Sequence, residues 1–107
     1  MVKNSAAVET DAHAIGVEYG AGHRFDNNWF VNSKRGGGLH VKDVKDFVST
    51  GTLLVGNAAY AVGLNGTAAN ACNGVRVTGY ASAGSQGYVK RFNHGCLNFN
   101  DTQLQKR

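Results

Sequence analysis

Leu39-His40-Val41-Lys42-Asp43-Val44-Lys45-Asp46-Phe47-Val48 is the stretch on which the reading of the fold turns. Its apolar residues Val41, Val44, Phe47 and Val48 recur three or four positions apart, which is the spacing of one face of an α-helix. Lys42, Asp43, Lys45 and Asp46 take the rest of the surface. The stretch therefore predicts an amphipathic helix, entered through the flexible Gly36-Gly37-Gly38 and stopped at Gly51.

Outward from this helix the pattern changes to β. Thr52-Leu53-Leu54-Val55 and Ala59-Tyr60-Ala61-Val62-Gly63-Leu64 flank Gly56-Asn57, a dipeptide suited to a hairpin turn, so a β-hairpin is expected. Ile15 to Tyr19 and Trp29-Phe30-Val31 read as earlier strands, Val75 to Tyr80 as an alternating amphipathic strand, and Cys96 to Phe99 as the last. Ser85 would cap a second helix with Tyr88, Val89 and Phe92 on its apolar face, closed by Gly95. The sum is an α+β fold, an antiparallel sheet with two helices packed on one face. Residues 1–12 lack an apolar period and are expected to be a flexible tail or pro-segment remnant before a single domain over 13–107. No internal repeat is evident.

A chain of 107 residues builds only a modest core, so one covalent staple matters. Cys72 and Cys96 are the candidates, and closing the loop between them would stabilise the fold by roughly 3 to 4 kcal/mol. The longest apolar run, Ala58 to Val62, is far too short to span a bilayer. Asn4-Ser5-Ala6 stands where an apolar signal segment would follow Lys3, so no intact signal peptide is expected. Asn65-Gly66-Thr67 and Asn100-Asp101-Thr102 match the N-glycosylation acceptor pattern, each expected on a loop or a chain end. Lys-Arg pairs at 34–35, 90–91 and 106–107 resemble dibasic processing sites of an exported precursor. A disulfide, sequons and dibasic sites together predict a secreted, extracellular glycoprotein.

A net charge of +4 favours acidic partners. Arg24, Lys34, Arg35, Lys90 and Arg91 are the candidate binding residues, with Tyr60, Tyr80 and Tyr88 available to stack beside them. Nucleic acid is a possible partner but is not favoured over a protein target. Among the four histidines, His13, His23, His40 and His94, only His94 stands near a cysteine at a ligand-like spacing, so no metal site is expected, and nothing implies a cofactor. Ala83-Gly84-Ser85-Gln86-Gly87 departs from the serine-hydrolase elbow at its first position. The enzymatic alternative is a small secreted ribonuclease with His40 and His94 as base and acid and with Glu18 and Arg91 or Arg24 steadying the phosphate.

Tyr88-Val89-Lys90-Arg91-Phe92-Asn93-His94-Gly95-Cys96 resembles the helix leading into His-Gly-Cys in the virally encoded killer toxins of smut fungi and related small fungal effectors. The Gly56-Asn57 turn and the strand after it are more loosely similar. The match covers about a third of the chain, and the family's richness in cysteine is missing. The resemblance implies an α/β-sandwich secreted by a fungus. It would act as a monomeric toxin or virulence effector that binds a cell-surface or intracellular protein of a host or competitor, with no catalytic residues.

Overall fold

A computed structural model describes residues 1–107, and the chain contains no helix. In chain order the strands are β1 (Val2–Lys3), β2 (Ala6–Val8), β3 (Ile15–Glu18), β4 (Arg24–Asp26), β5 (Trp29–Val31), β6 (Leu39–Lys42), β7 (Lys45–Val55), β8 (Val62–Gly66), β9 (Asn73–Ala81), β10 (Val89–Asn93) and β11 (Leu104–Lys106). Every pairing between strands is parallel. Partners stand 23 residues apart between Val2 and Phe25, 24 between Arg24 and Val48, and 28 between Lys45 and Asn73. The chain is a β-solenoid, each coil laid on the one before it.

Each coil contributes to two sheets. Sheet A holds β1, β2, β4, β5, β7, β9 and β11, and sheet B runs in the order β10, β8, β6, β3. Sheet A is creased where Asn4, Asn27 and Gly51 stack at successive coils, all with φ between +54° and +58°. The register of β7 on β9 shifts at the same place, between Ser49 and Thr52. A side chain at Gly51 would overlap the Asn27 carboxamide, so the coil above an Asn corner takes glycine. The crease divides sheet A into a first limb (β1, β4 and the early parts of β7 and β9) and a second limb (β2, β5, the later parts of β7 and β9, and β11).

Side chains of like position stack into ladders inside the coil. Ile15, Leu39, Val62 and Val89 form one, and Val17, Val41 and Leu64 another. Ala7, Phe30, Leu54 and Ala81 face them from sheet A. A single coil cannot bury its own apolar face, so stability comes from contact between neighbours. Corner backbone groups are satisfied from within: the Asn28 carboxamide accepts from Ser5 N and donates to Val2 O, and buried Asn57 accepts from Ser33 N and donates to Phe30 O. Cys72 and Cys96 are disulfide-bonded, 24 residues or one coil apart.

This architecture overturns the α+β expectation. Val41 points inward from β6, Val44 fills a corner, and Phe47 points inward from β7. Asp43 and Asp46, both at φ +53°, turn the chain between them. Strand, corner and strand thus reproduce a three-residue spacing that reads as helical. In the segment expected to be the second helix, Val89 faces the core and Phe92 the outside of β10. The expected hairpin is likewise absent, because Leu53–Val55 belongs to sheet A and Val62–Leu64 to sheet B, with Gly56-Asn57 as a corner. Cys96–Phe99 forms no named strand, only an isolated bridge from Leu97 to Asn73. Residues 1–12, read as a tail, carry β1 and β2, paired with β4 and β5. The repeat missed in the sequence has a length that drifts from coil to coil.

Candidate functional site on the outer face of sheet B

Two outward ladders cross sheet B. One runs Gly16, His40, Gly63, Lys90 and the next Glu18, Lys42, Asn65, Phe92. At the edge of the sheet His13, Gly37 and Tyr60 occupy equivalent places, because Ala14 N donates to Gly37 O and Gly38 N donates to Tyr60 O. Large and small residues therefore trade positions at each coil: His13 with Gly16, Gly37 with His40, Tyr60 with Gly63. Each ring lies down over a glycine. A Cβ at Gly16 would sit 2.8 Å from His13 Nε2, one at Gly63 would sit 2.7 Å from the Tyr60 ring, and one at Gly37 would overlap that ring.

The result is a small cluster outside the main core. His13 and His40 stack with centroids 5.0 Å apart and planes 15° from parallel. Phe92 closes the other side, 5.1 Å from His40 and 5.7 Å from Tyr60. His40 Nδ1 and the Tyr60 hydroxyl share a hydrogen bond of 2.8 Å. Burial holds the His40 imidazole below its ordinary pKa of 6.5, and His13 and Lys42 push it the same way against the opposing pull of Glu18. Burial also pushes the Tyr60 hydroxyl up. Around the cluster Glu18 is exposed, Lys42 lies over the Tyr19 ring at 5.6 Å, and Lys90 lies over Phe92 at 5.1 Å. At the far end of the face the Thr67 hydroxyl, then its backbone N–H, donates to Asp43 and holds that carboxyl below its ordinary range.

Of the residues expected to act together, this face gathers His40, Glu18 and Lys90. Arg91, next to Lys90, falls on the inward ladder, but at the last coil it is exposed and its guanidinium lies 6.0 Å from the Phe99 ring centroid. His94 lies four positions beyond Lys90 and two strands from His40, which at about 3.3 Å per residue and 4.8 Å per strand separates them by on the order of 16 Å. The two histidines of the ribonuclease reading are thus not brought together. Arg24 sits on sheet A beside Asp26, and Arg35, in the β5–β6 connection with exposed Lys34, pairs with Asp11 between β2 and β3, so the five basic residues form no single patch. Asn65, expected on a loop, lies within β8 and accepts a hydrogen bond from Asn93, whereas Asn100 is exposed. No three His, Cys, Asp or Glu side chains gather as they would around a metal ion.

Sequence reasoning passed over His13, Lys42 and Phe92. The signal was the pair of positions three apart in which ring and glycine exchange places at each coil. Comparison with protein-family models, curated proteins and solved structures returns no match.

Proposed function

We propose that the protein is an exported binding module that engages a protein target of a host or competing cell through the outer face of sheet B, without catalysis. The observation that carries this reading is the grouping of Lys42, Lys90 and Phe92, with Glu18 and Tyr19, on one face held rigid by rings lying on glycines. A preorganised set of aromatic and cationic groups loses little entropy on binding. The disulfide is compatible with an oxidising compartment. The choice of a host or competing cell carries over from the killer-toxin resemblance, although residues 88–96 form strand β10 and a corner instead of the helix through which they resembled that family.

Labelled protein applied to intact fungal and plant cells tests the reading. Saturable binding that falls roughly tenfold or more in Lys42→Glu/Lys90→Glu, with an unchanged unfolding temperature, is the expected result. Binding indifferent to those changes, or RNA cleavage abolished by His40→Ala, would overturn it.

A further inference from the structure

The second limb of sheet A presents a different outer face. Ala6, Trp29, Leu53, Tyr80 and Gln105 form one ladder across β2, β5, β7, β9 and β11, and Val8, Val31 and Val55 form the next. Trp29 is 55% exposed and Val8 51%, and no part of the chain covers them. An exposed apolar strip of this size is often functional on a small protein.

The strip is built symmetrically about its middle strand. Leu53 and Val55 lie at the centre, the aromatic Trp29 one strand to one side, and the aromatic Tyr80 one strand to the other. At the ends stand opposite charges. Glu9 follows Val8 on the first coil, and the Arg107 guanidinium lies 5.0 Å from the Tyr80 ring on the last. Neither makes a salt bridge within the chain.

We propose that this face binds a second copy of the same chain, the two solenoids packed face to face and antiparallel. The two-fold axis lies in the interface, across the strip at Leu53 and Val55. That rotation places Trp29 against the partner's Tyr80 and Glu9 against the partner's Arg107, and each of these contacts occurs twice. Everything needed to cover the face is thus supplied by the face itself, which is the condition for an isologous dimer. With sheets about 10 Å apart, Trp29 and Tyr80 side chains would meet across the gap. Four strand spacings by about four residues give on the order of 300 Å² per copy, well below the ~800 Å² per partner of a stable complex, so the dimer is weak and reversible. The monomer expected from the sequence is its low-concentration form. Sheet B lies away from this limb and would remain free, so the dimer would display two copies of the proposed binding face.

Trp29 is the chain's single tryptophan and reports on the contact directly. Between micromolar and millimolar concentration its emission should shift to the blue while sedimentation equilibrium shows the mass rising towards two chains. Leu53→Asp and Trp29→Ala should each move the midpoint roughly tenfold or more, with circular dichroism unchanged. Glu9→Arg or Arg107→Glu alone should weaken association, and the two together should restore it. A protein monomeric at every concentration, a dimer indifferent to Leu53→Asp, or a charge swap without restoration would overturn the proposal.

Discussion

The outer faces of sheet B and of the second limb of sheet A are made by the same coils at the same spacing, yet one covers itself and the other does not. On sheet B a glycine accompanies each ring at the opposite position of the pair, so His13 and Tyr60 fold flat and pack around His40. On the limb of sheet A no glycine interrupts Ala6, Trp29, Leu53 and Tyr80 or Val8, Val31 and Val55, and Trp29 and Val8 stay exposed. Small residues therefore decide whether a ring packs into the fold or stays exposed.

Removing the disulfide should have the largest effect, since it joins successive coils and supports both faces together. Cys72→Ala/Cys96→Ala is expected to lose about 3 kcal/mol of stability, read as a fall of on the order of 10 to 20 °C in calorimetric melting. Gly37→Val separates the faces, because any side chain there displaces the Tyr60 ring. A loss of about 1 to 3 kcal/mol in urea unfolding is expected, and an unchanged midpoint would show that the rings are not seated as described.

Acid should act on sheet B next. Unfolded His40 takes a proton near pH 6.5 and folded His40 only at lower pH, so the unfolded state binds more protons and stability falls as pH drops through 6.5. The decline levels off once the folded imidazole also titrates. A thermal melt series from pH 8 to 5 should show it, and His40→Gln should flatten it. The smallest effect belongs to the sheet A limb, where Trp29→Ala in dilute solution should change stability by no more than about 0.5 kcal/mol despite removing the largest side chain in the protein. A larger loss would mean that Trp29 serves the fold.

Much of the local β structure was legible. Ile15–Glu18 and Val75–Tyr80 alternate and are strands, with Arg76 outward as expected, and the short apolar run Trp29–Val31 is a strand too. Leu39–Val48 was not legible, because an apolar residue at a solenoid corner and one on the next strand fall at helical spacing by accident of the turn, and Tyr88–Phe92 was not, because β10 carries apolar residues on both its faces, Val89 inward and Phe92 outward. Of the site, His40, Glu18 and Lys90 could be named from residue chemistry. Their company could not, since it depends on stacking coils whose lengths vary.

By itself, the sequence determined which side chains are apolar, where corners can form through Asn and Gly, and that two cysteines were available to pair. Only the tertiary structure decided that those corners wind every strand parallel to the last, that Cys72 and Cys96 fall one coil apart, and which outer residues share a face. The physical reason is that a coil has no stable face of its own. Its side chains acquire an inside, an outside and a neighbour only when the next coil is laid down.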